Sequence, residues 1–542
     1  MSINLIISIG GTGSRIGESF SYLLAAGLIK SNDVFRFYIV DKDVQCGNTG
    51  RCVGTLSTYD NFYKIMSQTK KAKVGKNQAT LGMLDFNDIM KSMNLSANLD
   101  SLKGILEPGY GSVSEMIVNC LYSNEEQNTE MSQGFYGHAS LGSAVFEAIN
   151  TSDAYNESEL FRYIKTEKIN AGGAELRIII VGSIFGGTGA SIFPNIARSI
   201  RDKFCKKPDG TYDEGEMERM RISGVLMLPY FSFPPNESDK NLKVDREDFL
   251  RKTVVALRSY DANQKLVKRP GCPNDYIFDS LYLMGSNPFD VTCHVYERGG
   301  QDQTHRFHFV DLMGGLAMCD FFNHFNKNEM DQIYVASLSP NAIDHISWMN
   351  LPESGETKTR MLAMASFSVY VLTYLRPFMS QDVSDIVKEG LTIQLYGNKQ
   401  GLKYKLFPEA DLDDRNRNLM VEKLETVSSF CVKYLTYLLQ IQETRMGAAT
   451  ECCALFNSEA IRSILDAVKQ LDIKRSDERK QLFELCRLES VAAADVLTTT
   501  TTYHEINELL QDETICKRGI CTQPDGISQF LNAVYNCCVR QF

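Results

Sequence analysis

"VGSIFGGTGASIFPNIARSI", residues 181 to 200, joins an apolar run to a helical pattern through bare backbone. With "ELRIII" before it, the stretch reads as strand, glycine loop and helix, with Ile192, Phe193, Ile196, Ala197 and Ile200 on one helical face. Pro194 falls near the first helical turn, where a missing amide costs little. The loop residues are Gly186, Gly187, Thr188, Gly189 and Ala190. Exposed amides at a helix start and the positive end of the helix dipole suit an anion, and glycine lets a phosphate approach without meeting a Cβ.

The N-terminal segment has the same grammar. "INLIISIG" is a short apolar run without helical period; Gly10, Gly11, Thr12, Gly13 and Ser14 close it, and "RIGESFSYLLAAGLI" runs on as a helix. Further on, "FRFYIVDKD" predicts a second strand ending at Asp41 and Asp43, carboxylates that can accept from ribose hydroxyls or hold a metal-bound water. One glycine loop after a strand is a common turn, and read functionally it points first to a dinucleotide fold. Two such loops at parallel strand ends can grip one polyphosphate from two sides. The expected fold class is α/β, with a Rossmann-like, doubly wound nucleotide domain.

With 542 residues the chain can bury more than one core. Apolar residues at 43% and charged residues at 23% are values of a globular protein in water, and no run approaches the ~18 apolar residues of a membrane span. "MSINLIISIGGTG" lacks a basic leader and reads as a strand inside the fold. Fifteen cysteines without a C-x-x-C pair look like small buried hydrophobes in a reducing, cytoplasmic setting. A net charge of −10 opposes attraction to phosphate backbones, so neither nucleic acid nor a membrane is an expected partner. His305 and His308, with Cys293, His294 and Cys319, lack the paired-cysteine spacing of a zinc knuckle, and no metal ligand is assigned. There is no G-x-x-x-x-G-K-[ST] and no G-x-S-x-G, so phosphate binding falls to backbone amides.

"GGTGASIFP" resembles the signature loop of the tubulin and FtsZ superfamily, and the resemblance continues in chain order. "ISIGGTGSR" is similar to the first nucleotide loop, "FYIVDKDVQ" to the segment after the second strand, and "GFYGHASLGSAVFEAI", with Gly134 and Gly137, to the gamma-phosphate loop and its helix. "THRFHFVDLMGGLAMCDFFNHF", residues 304 to 325, suits the long central helix. There Phe307 and Asp311 stand one helical turn apart. The resemblance implies that this pair stacks on guanine and hydrogen-bonds it. "NKNEMDQ" is similar to the catalytic loop that a neighbouring subunit inserts, matching at Asn326, Asn328 and Asp331. An asparagine takes the place of the middle carboxylate, and a neutral amide positions water without taking its proton. Phe185 and Ser191 stand where FtsZ proteins have glycine, which suggests a divergent bacterial tubulin-like branch.

The resemblance implies GTP with Mg2+, self-association into filaments or oligomers, and a GTPase completed in trans. It divides the chain into a nucleotide domain (1–303), a central helix (304–325), a second, activation-type domain (326–440) and a helical extension (441–542), with a helix-rich α+β C-terminal region. Val421, Leu424, Val427, Cys431, Tyr434, Leu438 and Ile441 form one apolar stripe, and Ile461, Ile464, Leu465, Val468 and Leu471 another. Both suit packing on the chain's own core, with docking of a protein partner as the alternative. Two other functions stay open: a non-hydrolysing GTP sensor or scaffold, for instance in an antiviral or phage-related system, and an NAD(P) oxidoreductase with Gly10 to Gly13 on the pyrophosphate and Asp41 on the ribose.

Overall fold

A computed structural model describes residues 3–30, 34–43, 45–67, 79–85, 101–106, 112–128, 131, 135, 139–150, 159–173, 175–231, 246–268, 275–286, 299–324, 333–338, 346–376, 414–444, 453–470 and 526–540. Seven strands form one parallel sheet: β1 (Ile3–Ile9), β2 (Val34–Asp41), β3 (Ala79–Asp85), β4 (Leu176–Ser183), β5 (Met220–Met227), β6 (Ser280–Ser286) and β7 (Ile333–Leu338). Their order is β3-β2-β1-β4-β5-β6-β7. The chain builds outward from β1 through β2 and β3, then returns to the other side of β1 with β4, so the winding reverses between β1 and β4. Every residue of β5 is buried, and β4 buries all but Arg177, as covering both faces of a parallel sheet requires.

Helices α1 (Gly10–Ala25) and α2 (Gly47–Met66) cover one face together with the central helix. Helix α3 (Ala139–Asn150) packs on α4 (Gly187–Cys205) over the other. Pro194 lies inside α4 and does not end it. Across that second face Arg201 of α4 reaches Asp279, which precedes β6, at 2.7 Å, and Arg221 of β5 donates to the same carboxylate at 3.1 Å.

The central helix, α5, runs Phe309–Asn323, shorter than the expected 304–325, because His308 caps it. Past it the chain returns to the sheet, where β7 pairs parallel with β6. The later helices are α6 (Ser354–Tyr370), α7 (Asp414–Gln442), α8 (Ser458–Gln470) and α9 (Gly526–Arg540). Beyond β7, the β component among the described residues is one isolated bridge, Ile346 to Cys453.

These helices form a third layer in the same core as α1 and α2. Helix α7 crosses the expected boundary at 440, and its stripe of Leu424, Val427, Cys431, Tyr434, Leu438 and Ile441 is buried. Tyr437 stacks on Tyr22 of α1 at 4.6 Å and shares a 2.7 Å hydrogen bond with Ser19. Phe430 stacks on Phe62 of α2 at 4.5 Å. In α9, Tyr535 donates to the carbonyl of Ala26 at 2.6 Å and Asn532 to that of Met66 at 2.8 Å, closing the ends of α1 and α2. Residues 498–502, most of 234–248, and Leu471 lie outside the described residues.

If this layer shares the core of the sheet domain, Tyr535→Ala should cost the whole unit about 3–5 kcal/mol, the usual loss for a buried aromatic. Denaturant unfolding followed by circular dichroism reads this as one shifted transition. An unshifted main transition would mean that α9 belongs to a separate unit.

Candidate functional site

The winding reversal leaves a crevice outside the carboxyl ends of β1 and β4, where open α/β sheets bind ligands. Both glycine loops lie there. Gly10 has φ +69°, a conformation that L side chains rarely adopt, and a Cβ on it would stand 3.5 Å from Thr188 Cβ, so the two loops touch. Gly13 and Gly189 serve packing. A Cβ on Gly13 would come within 2.5 Å of the Val181 carbonyl oxygen, and one on Gly189 within 2.4 Å of that of Ser183.

Helix α1 starts from Ile9 and α4 from Gly186 with no side-chain cap and no acidic residue in the first turn at either. Asp213 and His308 do cap their helices, the first accepting from the Glu216 amide, whereas α2 and α6, like α1 and α4, start without a side-chain cap. Two helix starts lacking side-chain acceptors, side by side, form a concentrated patch of N–H groups and positive dipole ends. Gly11, Thr12, Gly186 and Gly187 are its partly exposed members, and Ser14, Thr188 and Ala190 are buried behind them.

Asp41, at the end of β2, ties these parts together. Its carboxylate accepts from Thr49 of α2 at 3.1 Å and from Thr188 of the second loop at 3.4 Å; Thr49 in turn shares a 3.3 Å hydrogen bond with Ser14. Burial, and then the charge of Asp43, push the Asp41 carboxyl up to about 7. Asp43 is committed to loop structure: its two oxygens accept from the amides of Gln45 at 3.0 Å and Gly300 at 2.6 Å. Among the described residues no group of three His, Cys, Asp or Glu could hold a metal ion. Magnesium, bound through phosphate and water with one or two carboxylates, needs no such group, and Asp41 fits that part.

Asn48 and Thr49 escaped the sequence reading. Asn48 accepts from the His305 amide at 2.8 Å and meets His305 Nδ1 at 3.1 Å, pinning the segment before α5 to the start of α2. The signal was there in "GNT", small polar residues opening a helix just after the Asp41 strand.

Phe307 and Asp311 do not share a helical face, because Phe307 precedes the helix. Its ring packs edge-on to Tyr437 at 5.0 Å and Tyr22 at 6.2 Å, with the Arg51 guanidinium 4.5 Å above. Asp311 is wholly buried. It accepts from Tyr230 Oη at 2.7 Å and from the His308 amide at 2.9 Å, and Arg15 Nε lies 3.5 Å away. His308 Nδ1 accepts from the Val310 amide as the helix cap. Gly134, Gly137, Asn326, Asn328 and Asp331 lie outside the described residues. Helix α3, which follows Gly137, begins beside the second loop, where Ser191 donates to the Ala139 carbonyl at 3.0 Å.

Residues 135–245 match the model of a family described as tubulin-like. The matched segment holds α3, β4, the second glycine loop, α4 and β5, and it supports assigning the chain to the tubulin and FtsZ superfamily as a tubulin-like protein. No curated protein matches the chain. Among the described residues no helix is long and apolar enough to cross a membrane.

Burial lowers His305 and His308 each to about 4 from the usual 6.5. The unfolded chain therefore binds more protons between those values, and stability falls as pH drops from about 6.5 to about 4. His308→Asn keeps a capping acceptor and removes one of the two protons, so the loss should be shallower by up to about 1.4 kcal/mol per pH unit. Urea unfolding at several pH values across that window checks this; an unchanged slope would show that His308 is not held neutral.

Proposed function

We propose that the chain is a nucleotide-dependent assembly protein that binds GTP with Mg2+ in the crevice between β1 and β4. The observation that carries this reading is the pair of touching helix starts without side-chain caps, Gly10 to Ser14 on α1 and Gly186 to Ala190 on α4. Their amides would hold phosphate oxygens from two sides, and Asp41 would meet the metal ion or its water. The loop with Gly134 and Gly137 would close on the terminal phosphate, since the helix that follows it begins at the second loop.

The tubulin-like match supports self-association as the working state. In such an assembly Asn326, Asn328 and Asp331 of one copy would complete the site of the next. Asp331 is the one group of the three able to take a proton from water; the two amides would orient it. Activity then belongs to the assembly and not to the single chain. A dinucleotide-binding oxidoreductase shares this strand order but leaves the second loop without a task.

Thermal shift with GTP, ATP and NADH compared side by side tests the ligand. GTP at a hundred times its dissociation constant should stabilise the fold by ~2.7 kcal/mol. Gly187→Val, which puts a side chain in the phosphate path, should abolish that gain and leave the circular dichroism unchanged. Stabilisation by NADH alone would overturn the assignment.

Turnover tests the shared site. Specific GTPase activity should rise with protein concentration, and Asp331→Ala should suppress it without weakening GTP binding. Asn328→Asp, which adds a second carboxylate, should keep or raise the rate. Slow turnover that ignores both concentration and Asp331 would instead support a GTP sensor that has lost the chemistry.

A further inference from the structure

Arg15 directly follows the first glycine loop, yet it is only 2% exposed. Its Nη2 donates to Tyr230 Oη, and its Nε makes the salt bridge to Asp311. The guanidinium carbon lies 5.9 Å from the ring centroids of both Tyr230 and Phe231. Phe185, just before the second glycine loop, stands edge-on to the same two rings at 6.0 and 5.4 Å, and the His308 ring is 5.2 Å from Tyr230. Among the described residues, a planar cation bearing N–H donors thus packs into an aromatic box with the Asp311 carboxylate in its wall. The walls come from the second glycine loop, the segment after β5 and the start of α5.

That box is built for a flat group that presents adjacent N–H donors to a carboxylate. A guanidinium does so. So does the N1–H and N2–H edge of guanine, which contains the same N–C–N unit. Adenine presents a donor beside an acceptor, and the acceptor would face the Asp311 oxygens. The box adjoins both phosphate-type loops, within reach of one nucleotide.

We propose that Arg15 holds the place beside Asp311, Tyr230 and Phe231 that the resemblance gives to the base, a side chain that a guanine base must displace. The inference rests on the nucleotide reading above. Arg15 then sets selectivity as well as affinity: only a base that replaces its ion pair with Asp311 can enter, and guanine affinity is lowered in proportion to the share of molecules in which the place is open.

Calorimetry on the full chain with GDP and ADP, for wild type, Arg15→Gln and Arg15→Gln combined with Asp311→Asn, tests this. Arg15→Gln should tighten GDP by about tenfold or more and leave ADP within about twofold, and adding Asp311→Asn should cancel the gain. Unchanged or weaker GDP binding by a folded Arg15→Gln overturns the resident role, while nucleotide binding by wild type would leave the wider reading standing. Equal tightening of GDP and ADP overturns the base assignment. No nucleotide binding by any of the three removes both readings. Should Arg15→Gln not fold, a crystal structure of wild type with GDP decides: Arg15 away from Asp311 supports the displacement, and Arg15 still on Asp311 refutes it.

Discussion

The site depends on how closely helix backbone can approach strand backbone at two glycines. A Cβ at Gly13 or at Gly189 would overlap a carbonyl oxygen of β4, Val181 in one case and Ser183 in the other. Without side chains there, α1 and α4 begin against the same strand from opposite faces of the sheet. Their first amides therefore point into one crevice. The glycines that look made for a phosphate are thus of two kinds. Gly13 and Gly189 admit the helices to the sheet; Gly10, at positive φ, turns the chain between strand and helix.

From that junction, buried charge carries the architecture outward. Helix α1 buries both Arg15 and Glu18. The first meets Asp311 of α5, and the second accepts from Arg51 at 2.9 Å and Thr55 at 2.8 Å, both on α2. On the opposite face Asp279 gathers Arg201, Arg221, the Tyr276 hydroxyl and the Ile222 amide. Such pairs add little net stability over apolar packing, but removing one partner leaves a stranded charge, so they fix which elements meet. Because Ser19 and Tyr22 bind Tyr437, the helix that opens at the first loop is also a member of the C-terminal layer. A shift of α1 at its start would be felt by α7.

The strands β1, β2 and β4 were legible because a parallel sheet covered on both faces demands unbroken apolar runs, and those runs end in turn residues. The stripe on α7 was legible from its period, but periodicity says that a face is buried and not what buries it, so its place on α1 and α2 could not be read. β7 was missed for a related reason: "IYVASL" is a short run, and nothing local tells a strand to rejoin a sheet left behind a helix earlier. The start of α5 was misread because the apolar period runs back through Phe307, whereas the start is set by His308 and Asp311, which cap each other's backbone groups. The burial of Asp311 depends on Arg15 and Tyr230, far away in sequence, and no local pattern holds that information.

The hydrogen bond from Tyr535 to Ala26 spans 509 residues. A contact of that separation has a price in chain entropy, and it also imposes a timetable. At ordinary rates of synthesis, α1 leaves the ribosome on the order of 25 to 100 s before the tyrosine that closes its end. The sheet strands and the glycine loops are all made within the first part of that interval. Until α9 is translated, the ends of α1 and α2 that it meets stay without these contacts. The contacts of α9 with Ala26 and Met66, at the ends of α1 and α2 away from the glycine loops, therefore form after the sheet strands have been made.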